Sequence, residues 1–370
     1  MNAKIEDNEE LVLDARDVGC SNLNLHGAKA TKNDEFYTLY NTIDEQMNAY
    51  LARNKNLFKG KIILAPCDDP EWSNFTKWFA AHFESIQCKA FISTSYAKDG
   101  EAHGKKYMIT GKDVNGDGKI NIDDIEWEWL NGDGDFRSDE VTAIRDTADF
   151  IITNPPFSLF REFFAWIMES GKKFAIIGSM NAITYKEVFP SIKGNTMWLG
   201  YQEEDENGSL KGGNTMNFRI PEGAKGKHER KIRDRSGKEL RCEQVSAKWF
   251  TNIPHNQRFA TNKRKTEKEI LKYSSHKKSP KFALWMKKYD NYNAVEIPFS
   301  DCIPSDYDGV MGVPISFLTR YNPEEFEMLG ADEAEGTGFS NGLWITILTD
   351  KKQCVIAGGK IYKRIFIRRK

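Results

Sequence analysis

The chain has 370 residues, of which 39% are hydrophobic and 29% charged, with a formal net charge of −1. That composition is ordinary for a globular fold, and the length allows two or three domains. No apolar stretch approaches the roughly eighteen residues a membrane helix needs, and the charged residues 1–17 lack the apolar core of a secretory signal. Six scattered cysteines (Cys20, Cys67, Cys88, Cys242, Cys302 and Cys354) form no CxxC pair. They argue against a zinc site and read as reduced thiols, so a cytoplasmic location is expected.

The near-zero net charge hides an asymmetry. Residues 221–290 hold about twelve more Lys and Arg than Asp and Glu. A polyanion responds to the local field, so this segment is a candidate nucleic-acid surface; it reads equally as a solvated basic face.

In chain order, residues 1–30 read as a polar tail. Residues 61–65 are a short apolar run stopped by Pro66, as a buried strand would be, and Phe75, Trp78, Phe79 and Phe83 then keep helical spacing. Residues 89–93 read as a second strand, and 106–110 as another. Residues 148–153 form a further buried strand, stopped by Asn154-Pro155-Pro156. Leu159, Phe160, Phe163, Phe164, Ile167 and Met168 return to helical spacing up to Gly171, and 174–178 read as the next strand. Short buried strands alternating with amphipathic helices predict a doubly wound, mostly parallel α/β sheet, with ligands beyond the carboxyl ends of its strands. After about residue 205 the alternation is lost. The expected division is a tail over 1–30, a catalytic cofactor-binding core over 31–205, and a basic recognition and C-terminal region over 206–370.

Asn154-Pro155-Pro156-Phe157 directly follows a buried strand. An aromatic amine is a poor nucleophile because its lone pair is delocalised into the ring. A side-chain amide oxygen and a backbone carbonyl can accept hydrogen bonds from both of its N–H groups. Two prolines fix the backbone that presents them, and the Phe face can stack on an extruded base. The plain alternative is a rigid strand-ending turn with a packed Phe. The tetrapeptide is the signature of amino-methyltransferases acting on adenine N6 or cytosine N4. The chain more widely resembles the EcoRI-type adenine-specific DNA modification methyltransferases, through residues 33–38, 66–75, 132–138, 181–187, 249–252, 312–318 and 362–368.

The resemblance implies the methyltransferase fold, S-adenosylmethionine as cofactor and double-stranded DNA as partner. It also implies site-specific N6 methylation of a flipped adenine, in a restriction-modification pair or as a solitary or phage modification. A cognate endonuclease would act on the same site without being a bound subunit. Asn154, Pro155, Pro156 and Phe157 are the expected catalytic residues. For the cofactor, the resemblance points to Phe36, Tyr37, Cys67, Asp68, Asp69, Asn74, Asp135 and Phe136. Two departures stand out: the turn at Cys67-Asp68-Asp69 has no glycines, and no acid follows the second strand, where Ser93-Thr94-Ser95-Tyr96 stands. Read without the family, Asp68 and Asp69 are acids at a helix N-terminus, the segment 132–135 is a turn, and the aromatics are core.

Residues 113–124 match a calcium-binding loop at Asp113, Asn115, Asp117 and Gly118, but end on Asp124 instead of Glu and follow a strand instead of a helix. A structural calcium site and an acidic turn leading into a helix near Asp123 both fit. For DNA, Arg230, Lys231, Arg233, Arg235, Lys263, Arg264 and Lys265 are the candidate contacts. Other readings of the tetrapeptide are cytosine N4, RNA adenine, protein glutamine, or a DNA-binding relative without activity.

Overall fold

The computed structural model describes residues 37–69, 73–97, 102–206, 210–220, 225–234, 237–261, 263–333, 339–345 and 352–370. The expected tail, Phe36 and Arg235 lie outside them.

The described chain opens with β1 (Tyr37–Thr38) and α1 (Tyr40–Arg53). A βαβ unit follows: β2 (Ile62–Pro66), α2 (Asn74–Ile86) and β3 (Ala90–Ser95). The hairpin β4 (Lys105–Ile109) and β5 (Glu126–Trp129) and the helix α3 (Asp139–Thr147) lead to a second unit, β6 (Phe150–Thr153), α4 (Phe160–Ser170) and β7 (Lys173–Ser179). Next come α5 (Phe189–Lys193), β8 (Trp198–Leu199), β9 (Met216–Arg219), β10 (Glu229–Arg233), β11 (Glu239–Val245), β12 (Ala247–Thr251) and α6 (Glu267–Tyr273). The C-terminal strands are β13 (Val295–Glu296), β14 (Met311–Pro314), β15 (Phe326–Ala331), β16 (Val355–Ile356), β17 (Gly359–Lys360) and β18 (Arg364–Arg369).

The central sheet has eight strands in the order β5-β4-β3-β2-β6-β7-β12-β8. Its middle four strands are parallel and each flank is an antiparallel pair. The parallel middle matches the expectation. The β4–β5 flank departs from it for a covalent reason: β3 and β4 are joined without a crossover helix, and a short link imposes an antiparallel neighbour. β12 also lies beyond residue 205, so the expected boundary does not separate sheet from appendage.

The parallel strands are doubly wound. Ile63, Ala65, Ile152 and Ile177 pack on α1 and α2 through Met47, Tyr50, Trp78 and Phe79. Leu64, Ile151 and Ile176 pack on the other face against Phe160, Phe163, Phe164 and Phe189. Alternate residues thus feed two cores, which is why these strands read as unbroken apolar runs. α4 stops where sequence reading placed its end, at Gly171 with φ of 63°. The second core continues without a break into the C-terminal region through Val295, Met311, Phe326 and Ile365. There β13-β14-β18-β15 form a four-stranded sheet. A third sheet, β1-β9-β11-β10, stands over the carboxyl edge of the central one.

The sheet edge is pinned by His255, which is 1% exposed and bonds through Nε2 to the Leu199 carbonyl at 3.0 Å. Burial pushes its imidazole down to about 4 from the usual 6.5, so it is neutral. Among the described residues no helix is long and apolar enough to cross a membrane.

Candidate active site

From β2 the chain winds through α2 to β3 on one side, then returns to place β6 on the other side of β2. The exits of β2 and β6 therefore diverge and leave a crevice at their carboxyl ends, where ligands bind in such sheets. Both marked turns sit there. Cys67-Asp68-Asp69 leaves β2, and Asn154-Pro155-Pro156-Phe157 leaves β6. The Thr153 hydroxyl donates to the Pro66 carbonyl at 2.6 Å and ties one exit to the other.

On the β6 side, Pro155 is buried and Asn154 half-buried. The Asn154 Oδ1 is shielded from solvent, a setting in which a hydrogen-bond acceptor acts most strongly. Phe157 opens a short 3-10 turn and meets Phe218 of β9 edge-on, ring centroids 6.1 Å apart at 87°. Phe218 was not marked by sequence reading. Its signal was Met216, Phe218 and Ile220 at period two, overlooked within the polar surroundings.

On the β2 side, Cys67 has φ of 61°, the left-handed conformation usually given to glycine. Its turn needs the backbone shape without having the residue. The Asp68 amide donates to the Thr94 carbonyl at 2.9 Å, its Oδ2 accepts from Thr76 Oγ1 at 3.3 Å, and its carbonyl accepts from Ser93 Oγ at 3.0 Å. Asp69 presents its carbonyl to the Ser73 amide at 2.8 Å, and Ser73 caps α2. Asn74 donates to the Thr38 carbonyl at 2.7 Å, so it fastens β1, and with it Tyr37, to the start of α2.

The segment 132–135 closes the far end of this edge. Gly134, at φ of 83°, lies against the Ser95 carbonyl so tightly that a Cβ would overlap it. This contact brings Asp133 to the end of β3: Ala97 donates to its carbonyl at 2.7 Å, and a hydrogen bond to its carboxylate raises the Tyr96 hydroxyl above its ordinary value. An acid from another loop thus stands at the end of β3, where none follows in sequence. Asp135 and Phe136 behave differently from expectation. The Asp135 carboxylate takes the Arg137 guanidinium at 2.6 Å, which lowers its pKa. Phe136 is 3% exposed and packs edge-on against Phe163 and Trp166, because its backbone faces the second core.

A cofactor test comes from buried polar atoms. The hydroxyls of Thr38 and Thr94 are 5% and 1% exposed as residues and have no hydrogen-bond partner among the described residues. Such groups are costly unless something binds them. Both flank the Cys67 turn, Thr94 as its backbone partner and Thr38 through Asn74. The edge therefore fits a polar ligand with several acceptors and donors.

The acidic loop is closed by its own amides. Asp113 Oδ1 accepts from Gly116 and Asp117, and Oδ2 from Gly118; Asn115 accepts from Asp117, and Asp117 from Lys119. Asp124 accepts from Asn121 and Val114, which holds its carboxyl below the ordinary value. A 3-10 turn of three residues and then β5 follow, in place of the expected helix. Among the described residues no cluster of three His, Cys, Asp or Glu is arranged to hold a metal ion.

The basic residues divide sharply. Arg230, Lys231 and Arg233 are exposed on the β10–β11 hairpin, but Lys231 pairs with Glu239 at 2.6 Å and Arg241 with Glu229 at 2.8 Å. Lys263 and Lys265 are exposed. Arg264 is not available to DNA: its side chain is 7% exposed, it pairs with Glu325 at 2.6 Å, and it lies over the Phe326 ring.

The sequence profile described as "Adenine-specific methyltransferase EcoRI" matches residues 24–370. The chain is 36% identical to the Type II methyltransferase M.EcoRI of Escherichia coli, over 94% of this chain and 96% of that one. It is 31% identical to the Type II methyltransferase M.MpnI of Mycoplasma pneumoniae, over 82% and 83% of the two chains. A similar match, 31% over 82% and 84%, is found with the Type II methyltransferase M.MgeORF184P of Mycoplasma genitalium. No solved structure gives a significant match. With the tetrapeptide at the switch point of a doubly wound sheet and the profile running over nearly the whole length, the chain belongs to the EcoRI family of adenine-specific methyltransferases.

Proposed function

We propose that the protein transfers a methyl group from S-adenosylmethionine to N6 of an adenine flipped out of duplex DNA, in a restriction-modification setting like that which the type II naming of its relatives denotes. The observation that supports this most is the adjacency of the two strand exits, tied through Thr153 and Pro66. An acceptor pair for an amine and a turn suited to a nucleoside ligand then share one crevice. The family weighs against cytosine N4, RNA and protein substrates.

In this reading the Asn154 side-chain oxygen and the Pro155 carbonyl accept the two N–H bonds of the adenine amine. That localises its lone pair on nitrogen and aims it. The prolines hold both acceptors before the base arrives, so no reorganisation is spent at the transition state. Phe157 stacks on the base, and Phe218 closes the pocket from β9. Bound S-adenosylmethionine supplies an electrophilic methyl group on a sulfonium. Neither an amide oxygen nor a backbone carbonyl can keep a proton near neutral pH, so the proton shed by the methylated amine passes to water.

On the cofactor side, Asp68, Asp69, Thr94 and Thr38 surround the turn that would receive the amino-acid part, with Tyr37 beside them. Asp133 takes the ribose role that no residue after β3 fills. Cys67 acts through its backbone conformation. Asn74 is a positioning residue that holds β1. For DNA, Arg230, Arg233, Lys263 and Lys265 remain contacts in this proposal, with residues 206–370 supplying most of the recognition surface, while Arg264 is a structural ion pair.

The test is direct. Purified protein with labelled S-adenosylmethionine is expected to label duplex DNA, and digestion to yield N6-methyladenine. Label in cytosine, RNA or protein would overturn the substrate assignment.

A further inference from the structure

The segment after β7 lies beside the catalytic exit, because β6 and β7 are parallel neighbours. It forms a 3-10 turn, Met180–Thr184, and ends at Tyr185, Lys186 and Glu187. Two residues from the far end of the chain reach it. The Tyr362 hydroxyl donates to Asn181 Oδ1 at 2.8 Å, and Lys363 Nζ donates to Thr184 Oγ1 at 2.8 Å. From the catalytic side comes Arg161, in the first turn of α4. It stacks over the Tyr185 ring at 3.9 Å and meets Glu187 at 3.3 Å. Lys186 lies 3.9 Å from the same carboxylate.

The result is two cations on one acid, Glu187, with a third, Lys363, anchored on Thr184 of the same segment. Arg161 and Lys186 are 49% and 72% exposed as side chains. Exposed ion pairs of this kind add little to stability and stay open to competition by a stronger anion. Lys363 is held differently. The next residue, Arg364, is buried and forked onto Glu296, which is fully buried, through bonds of 2.7 and 2.9 Å. Its Nη1 reaches back to the Tyr362 and Lys363 carbonyls at 2.7 and 3.2 Å. Asp332 accepts from the Arg364 amide. Burying such a charge pair is an inefficient way to gain stability. Here it fixes the backbone from which Tyr362 and Lys363 project.

A base that rotates out of a duplex leaves its own phosphates on the strand, next to the pocket it enters. Something must hold them there, and phosphate contacts are what set register on a duplex. We infer that Arg161, Lys186 and Lys363 form a composite rim, built from both ends of the chain, that grips the target-strand phosphates flanking the flipped adenine. The hairpin charges serve the more distant duplex in this reading, with Lys231 and Arg241 partly offset by Glu239 and Glu229. This inference rests on the DNA reading above.

The experiment measures binding of the full-length protein, with S-adenosylhomocysteine present, to a short fluorescein-labelled duplex carrying the methylated site, over a salt series. Arg161→Gln, Lys186→Gln and Lys363→Gln are each expected to weaken binding. Each should also reduce the slope of log K against log salt by about 0.9, with S-adenosylmethionine affinity unchanged. Lys363→Arg should restore the slope. Lys186 is exposed, so its variant reports even if Lys363→Gln folds poorly. An unchanged slope in Lys186→Gln and Arg161→Gln would overturn the rim. Failure of the unmodified protein to bind or methylate duplex DNA would instead overturn the reading beneath it.

Discussion

The exits of β2 and β6 solve one problem with different chemistry. Each must turn sharply at the ligand edge and hold its backbone still. At β6 the rigidity is covalent: Pro155 and Pro156 permit little else. At β2 it is assembled: Cys67 adopts φ of 61° without being glycine, and the Thr94 carbonyl and the capped start of α2 hold Asp68 and Asp69 in place. A covalent solution leaves its mark in four consecutive letters. An assembled one is spread over β3, α2 and β1, and leaves almost none. In the proposed function, the exit assigned to the base is therefore the conspicuous one, and the exit assigned to the methyl donor is built from contacts.

The strongest way to break this division of labour is a pair of variants. Asn154→Ala is expected to lower kcat by about 10²–10³-fold, the scale for losing one preorganised polar contact to a reacting group, while equilibrium dialysis shows cofactor affinity nearly intact. Asp133→Ala should do the reverse, weakening cofactor binding while kcat at saturating cofactor stays within a few-fold. If Asn154→Ala kept a tenth of the rate, or if both variants changed the same parameter, the two exits would not be separate in role.

A smaller effect tests the scaffold both exits share. His255 is neutral in the fold and pinned to Leu199, with its pKa lowered to about 4. The unfolded chain takes up a proton on this residue below about pH 6.5 and the folded chain does not. Stability is thus present above that pH and is lost as pH falls towards 4, by roughly 2 kcal/mol at pH 5. Urea midpoints at pH 7 and pH 5 should diverge in the natural protein and less so in His255→Gln. Equal divergence would remove His255 as the cause.

The smallest effect concerns the assembled turn itself. Cys67→Val should destabilise by about 1–2 kcal/mol, since a β-branched residue resists the left-handed region. Cys67→Gly should cost almost nothing. Equal melting temperatures for the two would mean that the turn relaxes and is not held.

How far the sequence could be read follows the same division. β2, β3, β6 and β7 were legible because strands covered on both faces become unbroken apolar runs, and α4 was legible from its spacing and Gly171. The tetrapeptide at residues 154–157 was legible because its rigidity is written in backbone covalency. Phe218 carried only a period-two strand signal with Met216 and Ile220, and its meeting with Phe157, far away in sequence, is made by a short strand of the small sheet. Arg264 read as a surface charge because nothing local announces Glu325 or the Phe326 ring. Phe136 was named for the cofactor by family resemblance alone, and nothing local announces Phe163 and Trp166, which pack against it. Asp133 reaches the end of β3 because Gly134 allows its loop to touch Ser95.

β12 returns to the central sheet between β7 and β8, and Phe250 sits opposite Leu199. Residues 200–246 therefore depart from and come back to adjoining strands, as a cassette whose two ends are already side by side. The entropic toll of lengthening such a cassette grows only with the logarithm of its length. Such a segment can change in length without disturbing the pairing of β8 with β12, whereas a cut at residue 205 would leave the sheet without its penultimate strand.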